Sequence, residues 1–176
     1  MELTNSALVA QLQEKYTAFA AHIKSLDATT FEQHAEEKWS AGQQLEHLVL
    51  SVRPLRKIMA APKFLFPLAW GKPNRSGRSY EELVAKYHEK LAAGGRASGR
   101  FVPREVSFAQ RDKLTSQLLE EIRWLCDKTA KFSEEELDRF LLPHPLLGKI
   151  TLREMLYFTI YHAEHHLESI RGQRHR

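Results

Sequence analysis

Cysteine is nearly absent from this chain of 176 residues, in which Cys126 is the only one. A single thiol excludes an intramolecular disulfide framework and makes a reducing compartment the expectation. No apolar run approaches the roughly 18 residues that a membrane-spanning helix requires. The N-terminal residues also lack the basic and apolar regions of a secretory signal peptide. We therefore expect a cytoplasmic protein without a membrane segment, in which Cys126 is a packed residue and not a nucleophile.

Strand patterns are scarce, whereas apolar residues recur at helical spacing along most of the chain. Capping-box patterns of Ser or Thr followed three residues later by Gln or Glu mark several helix starts. Pro54 is expected to kink the second helix or to end its regular part early. The pattern predicts an all-α four-helix bundle that forms one domain over residues 1–176. Its long helices run approximately from Thr4 to Leu26, Ser40 to Met59, Ser107 to Lys131 and Thr151 to Arg171.

A strong excess of one charge is also lacking, since the net charge is +4 and the pI is about 9.2. This mild basicity permits an anionic ligand but does not by itself indicate nucleic acid. The basic residues concentrate in the connection 61–106, where repeated Pro and Gly exclude one continuous helix. A shorter helix is predicted there, from Ser79 to about Ala93. We expect a long, partly helical, basic insertion between the second and third bundle helices, and loops of this length are usually functional.

Histidines are the residues that stand out once these classes are excluded. His162 and His166 lie four residues apart on the last helix, so their side chains are neighbours along one edge of its apolar stripe. The intervening His165 points about 60° to the other side. His47 lies on the rim of the apolar face of the second helix. One histidine from one helix and an i, i+4 pair from another can hold a divalent ion and leave positions open for water or substrate, which is typical of catalytic sites.

Two blocks of the chain resemble the DinB/YfiT-like superfamily, in which the fold is a four-helix bundle. The first block is Trp39-Ser40 followed by Glu46-His47-Leu48. The second contains His144-Pro-Leu-Leu-Gly148, then Thr151-Leu-Arg-Glu154, then the segment from His162 to Ile170. The resemblance implies a three-histidine site for zinc or nickel, formed here by His47, His162 and His166. It also implies a homodimer. The family is named for its induction by DNA damage, which implies a link to the stress response and is not evidence of DNA binding.

The resemblance further implies the activity, because characterised members of the family include S-transferases that use low-molecular-weight thiols. We therefore expect a metal-dependent transferase with a small-molecule substrate and a low-molecular-weight thiol as cosubstrate. The basic residues Arg75, Arg78 and Arg100 are candidates for holding carboxylates of that thiol. His144 is a candidate for the mouth of the site, as an acid or base or as a group behind the ligands, although a structural role in a turn is equally compatible with its position.

Three alternatives remain open at the level of the sequence. A metal-dependent hydrolase would use the same histidines with metal-bound hydroxide as the nucleophile. A nucleic-acid-binding module is suggested by the basic insertion and by the tail from Arg171 to Arg176, but no recognition helix or base-stacking motif accompanies them. A metal-free helical dimer would simply bury the histidines. Metal content distinguishes the last of these from the two enzymes.

Overall fold

A computed structural model describes residues 3–34 and 38–173 of the chain. The end of the basic tail, residues 174–176, lies outside that range. Two short strands, β1 Leu141–His144 and β2 Gly148–Thr151, accompany the helices. The helices of the described residues are α1 Asn5–Lys24, α2 Ala28–Glu32, α3 Ala41–Ala60, α4 Leu65–Trp70, α5 Tyr80–Ala92, α6 Arg111–Thr129, α7 Glu134–Arg139 and α8 Leu152–Gln173.

The four longest helices, α1, α3, α6 and α8, pack into one bundle in which α1 and α3 each contact both α6 and α8. Their apolar stripes meet in a continuous core, and full burial of each Leu, Ile or Phe side chain contributes roughly 1.5–3 kcal/mol. Large side chains that are completely buried in this core include Leu12, Tyr16, Phe19, Leu45, Leu48 and Tyr157. This arrangement confirms the all-α four-helix bundle that helical periodicity predicts.

Capping boxes position the two helices that carry the histidines. At the start of α3, the Ser40 hydroxyl accepts from the Gln43 amide, and the Gln43 side chain accepts from the Ser40 amide. At the start of α8, Thr151 and Glu154 form the same reciprocal pair. Each capping side chain stabilises its helix end by about 1 kcal/mol. The Ser107 box instead opens a 3-10 turn, Phe108–Gln110, and α6 begins only at Arg111.

The antiparallel hairpin of β1 and β2 is a feature that sequence periodicity did not predict. Each strand has only four residues and Pro143 interrupts the first, so no alternating pattern is long enough to be recognised. The strands pair from Leu141 with Thr151 to His144 with Gly148. Gly148 has a φ of 73°, a left-handed conformation that favours glycine at the end of the turn. The hairpin sets the direction from which the chain enters α8.

Pro54 does not end its helix, because α3 continues from Ala41 through Pro54 to Ala60. Of the two expected effects of Pro54, the early end of the helix therefore does not occur. The short helices α2 and α4 were also not predicted, since five or six residues hold less than two turns of pattern. Among the described residues, no helix has both the length and the apolarity needed to cross a membrane.

Candidate metal centre

Three buried histidines from two bundle helices meet between α3 and α8. His47 comes from α3, and His162 and His166 come from successive turns of α8. The Nε2 atom of His162 lies 3.1 Å from Nε2 of His47 and 3.0 Å from Nε2 of His166. One ring nitrogen from each residue lies within 4.8 Å of the others. The structure thus brings together the three residues that the sequence singled out as a ligand set.

The outer nitrogens of two of these rings have defined hydrogen-bond partners. Nδ1 of His47 lies 2.7 Å from the carbonyl oxygen of Phe101, which can only accept, so Nδ1 carries the proton. The side-chain amide nitrogen of Gln44, Nε2, donates to the carbonyl oxygen of Trp39 at 3.1 Å. That bond orients the oxygen of Gln44 towards Nδ1 of His166, 3.0 Å away, which must then donate. Both rings therefore present an unprotonated Nε2 to the centre of the cluster in their neutral form.

Convergent lone pairs are the consequence of this tautomer assignment. His162 can place at most one proton on its Nε2, yet that atom faces the bare Nε2 of both His47 and His166. At least one of the Nε2 lone pairs then has no proton to accept, in a buried position. A divalent cation would satisfy all three nitrogens at once. Two ligands at about 2.05 Å from a tetrahedral zinc lie about 3.3 Å apart, close to the separations seen here.

Burial keeps the three imidazoles neutral, which is the form that binds metal. Desolvation by burial, together with the neighbouring histidines, holds the pKa values of His162 and His166 well below the ordinary 6.5. The pKa of His47 is also lowered, because desolvation outweighs its bond to the Phe101 carbonyl group. The relative exposure of His162 is only 3%. Proton competition for these nitrogens is therefore weak at neutral pH.

Aromatic rings enclose the cluster on two sides. The Trp39 ring lies 4.8 Å from the His47 ring and is stacked on the His166 ring at 6.4 Å between centroids. The Phe158 ring stacks on His162 at 4.7 Å. Packing of this kind restricts rotation of the imidazoles and keeps their nitrogens pointed at one place. Trp39, Gln44 and the Phe101 carbonyl thus form the support that orients the candidate ligands.

A cavity of about 320 Å³ borders the cluster on the side of His47 and His162. This volume lies at the small end of the range of small-molecule sites, about 300–1,000 Å³. Most of its wall is apolar, and its polar residues include the histidines, the arginines of the loop that follows α5, and Ser51, Tyr87 and Thr159. The apolar wall includes Val52, Leu55, Ile58, Leu142, Met155 and Phe158.

Two exposed arginines, Arg96 and Arg100, line the loop side of this cavity. The loop leaves α5 through a left-handed Gly94 with a φ of 90°, and the Gly95 amide donates back to the Lys90 carbonyl group at 2.9 Å. A Cβ on Gly95 would lie 2.7 Å from that carbonyl oxygen, so only glycine fits. The turn directs Arg96 to the cavity, and the following 3-10 turn at Gly99–Phe101 supplies the carbonyl group that binds His47.

Two of the arginines that the sequence suggested for cosubstrate binding are engaged elsewhere. Arg75 and Arg78 form ion pairs with Glu154, whose side chain is completely buried at the start of α8, at 2.9 Å and 3.1 Å. Neither arginine lines the cavity. The structure thus gives both arginines a structural role, because a buried carboxylate needs charged partners. Arg100 does line the cavity, beside Arg96, another basic residue of the insertion that the sequence did not single out.

The other histidines of the predicted region take separate places. His165 is half-buried beside the rings of Tyr87 and Tyr161 and is not part of the cluster, as the helical angles predicted. His144 lines the cavity, and its Nδ1 also accepts bonds from two amides of the hairpin turn. The sequence left the mouth of the site and the turn as alternative places for His144, and the structure places it at both the cavity wall and the turn.

Replacing Gln44 by Leu is expected to weaken metal binding by about 10- to 100-fold, the usual effect of losing a partner behind a histidine ligand. Leucine cannot accept the proton of His166 Nδ1, so the ring loses its fixed tautomer and orientation. Competition titration against a chromophoric chelator measures the change. Gln44→Glu retains an acceptor for His166 Nδ1 and should bind metal more tightly than Gln44→Leu. Gln117→Leu on α6 serves as a glutamine control, and an unchanged affinity in Gln44→Leu would contradict the tautomer assignment.

Comparison with known proteins agrees with the geometry. A family model described as the DinB superfamily matches residues 11–170, which is most of the chain. A search of curated proteins found no match to this chain. The matched range includes α3, α8 and all three histidines of the cluster.

Proposed function

Because the chain belongs to the DinB superfamily, we propose that it is a metal-dependent enzyme that transfers a small thiol to an electrophilic carbon of an apolar substrate. The observation that carries the proposal is the convergence of three Nε2 atoms whose opposite nitrogens are bonded to acceptors in two of the three rings. Three neutral nitrogens suit zinc or nickel, and equally cobalt or iron. A divalent ion held there would lower the pKa of a bound thiol or water and would stabilise the resulting anion.

The cavity provides the remaining requirements of a transfer reaction. Its apolar wall excludes water from the substrate, which protects a thiolate from competing solvent. Arg96 and Arg100 at the loop side offer positive charge for carboxylates of the thiol cosubstrate. In the reaction the thiol loses its proton to solvent, a carbon–sulfur bond forms, and the bond from that carbon to its leaving group breaks. The leaving group departs with the electron pair, so atoms and charge balance.

Elemental analysis of untagged protein tests the metal site first. The wild type should contain about one zinc or nickel per chain, and His162→Ala/His166→Ala should contain essentially none, because one imidazole alone binds metal weakly. His165→Ala is the matched control, since it removes the neighbouring histidine that lies outside the cluster. Full metal content in the double variant would place the metal elsewhere. Absence of metal in the wild type after reconstitution would favour a bundle with buried histidines.

An activity screen then separates the transferase from the hydrolase. The metal-loaded protein is incubated with monochlorobimane and with glutathione, cysteine or coenzyme A, and the thioether is identified by mass spectrometry. Loss of the histidine pair should lower the rate at least 100-fold, which corresponds to removal of the group that activates the nucleophile. Cleavage of an activated ester without thioether formation would assign the site to a hydrolase. The Arg96→Ala/Arg100→Ala variant should raise KM for glutathione and leave the metal content unchanged.

A further inference from the structure

His144 is a buried histidine that the proposed thiol transfer does not use. It ends β1, its relative exposure is 9%, and it lines the cavity beside the candidate metal centre. Its Nδ1 accepts the amide protons of Leu146 and Leu147 at 3.2 Å and 3.1 Å. A nitrogen that accepts two amide protons cannot carry a proton of its own. The proton of the neutral ring must therefore be on Nε2.

The Nε2–H group of His144 has no protein acceptor among residues 3–34 and 38–173. This ring borders the cavity, whose wall near it includes the apolar side chains of Leu142, Met155 and Phe158. A polar N–H group that faces an apolar cavity is satisfied only by water or by a ligand. Burial also lowers the pKa of His144 to about 4, so the ring remains neutral and keeps this proton at physiological pH.

Only one aromatic ring separates this donor from the candidate metal centre. The Phe158 ring lies 4.2 Å from the His144 ring, edge to face, and 4.7 Å from the His162 ring. Both histidines and Phe158 line the same cavity. A small molecule in the cavity can therefore contact His144 and border the metal centre together. The two sites are fixed by different elements, the hairpin turn and helix α8.

We propose that this cavity binds an apolar organic substrate that carries a carbonyl oxygen, and that His144 donates an Nε2–H hydrogen bond to that oxygen. The inference rests on the proposed function in taking the cavity as the substrate site, and it adds the substrate class. A hydrogen bond to the carbonyl oxygen draws electron density towards that oxygen, so an adjacent carbon becomes more electrophilic. Because Nδ1 accepts from the two amides, the proton of the neutral ring is held on Nε2, where it is available for this hydrogen bond.

A pair of probes that differ only in the carbonyl group tests the proposal. Acetophenone and ethylbenzene are titrated separately into isotope-labelled protein, before and after removal of metal by a chelator, and binding is followed by NMR. The wild type should bind acetophenone about fivefold more tightly than ethylbenzene, the effect of one neutral hydrogen bond. The Nε2 proton of His144 should shift downfield with acetophenone and little with ethylbenzene. Shifts at Leu142 and Phe158 would locate both probes in the cavity.

Two variants separate the donor from the structural role of His144. In His144→Asn the side-chain oxygen takes the place of Nδ1 and preserves the turn, but no donor reaches the cavity. In His144→Gln an amide N–H group reaches the position of Nε2. The preference for acetophenone should vanish in the Asn variant and return in the Gln variant, while ethylbenzene binding stays unchanged in both.

Three results would overturn the proposal: equal affinity for the two probes in the wild type, a preference that persists in His144→Asn, or no binding of either probe. Because metal-free protein is measured too, these results are distinct from failure of the proposed function. If the protein binds no metal but still prefers acetophenone, the proposal of a carbonyl site stands and the proposal of a metal-dependent transferase fails. If the protein binds metal but shows no preference for acetophenone, the metal centre stands and the proposal of a carbonyl site fails.

Discussion

Removal of metal is expected to lower the midpoint of thermal unfolding of the reconstituted protein by about 10 °C. A ligand present at 1,000 times its Kd stabilises the native state by about 4 kcal/mol, and a protein of this size shifts by about 2–4 °C for each kcal/mol. Differential scanning calorimetry with and without EDTA measures the shift. His162→Ala/His166→Ala should unfold at one temperature in both conditions. An equal EDTA effect in that variant would show that the stabilising metal is bound elsewhere.

The buried histidines should also make the metal-free protein sensitive to acid. The folded-state pKa values of His162 and His166 lie well below 6.5, and that of His144 is about 4. The unfolded chain therefore binds more protons than the folded chain below pH 6.5. Stability is fully present above this pH and is lost as the pH falls from 6.5 towards 4. The double alanine variant should lose less over this range, since two of the buried imidazoles are gone.

Removal of both arginines that pair with Glu154 is expected to destabilise the fold by roughly 3 kcal/mol. This is the lower end of the range for leaving a buried charge unpaired, because the two arginines are themselves partly exposed. Glu154 is completely buried. Burial raises its pKa, but hydrogen bonds from Arg75 and from the amides of Thr151 and Arg78 lower it by more, so the carboxylate is charged in the folded protein. Arg75→Ala/Arg78→Ala leaves only the amide donors.

Urea unfolding at pH 7.5 measures this destabilisation against two controls. Arg123→Ala/Arg139→Ala removes the same charge from exposed positions and should cost less than about 1 kcal/mol. Adding Glu154→Gln to the arginine double variant removes the uncompensated charge and should recover part of the loss. In the wild type, the depressed pKa of Glu154 means that its contribution is present above the unfolded pKa and is lost as the pH falls through the folded value. Equal stability of wild type and Arg75→Ala/Arg78→Ala would refute the role of this ion-pair cluster.

The metal-free protein and the ion-pair variant report on different parts of the molecule. Chelation acts on the junction of α3 and α8, whereas the arginine variant releases the insertion from the start of α8. The metal content of Arg75→Ala/Arg78→Ala should therefore stay close to that of the wild type. A matching loss of metal would mean that the insertion holds the histidines in place through Glu154.

Local patterns in the sequence were sufficient for the four long helices and for the pair of His162 and His166. Helical spacing and capping boxes act over three to seven residues, so the starts of α3 and α8 are visible without any tertiary information. The i, i+4 pair is local for the same reason, since one helical turn brings His162 and His166 together. His47 was associated with them by its place on an apolar face and by the family resemblance, and not by any contact that the sequence itself displays.

Tertiary structure alone decided the partners that give these residues their properties. These partners are the Phe101 carbonyl group, the two arginines that pair with Glu154 and the two amides bound by His144. They lie on loops or in a short hairpin, where no periodic pattern constrains the chain. Arg75 and Arg78 are the clearest example, because the sequence of a basic loop is the same whether its arginines face solvent or a buried carboxylate. The sequence determined the long helices and the histidines that they carry. Which nitrogen carries a proton, and which arginine borders the cavity, depends on atoms distant along the chain, because hydrogen bonds and desolvation act through space.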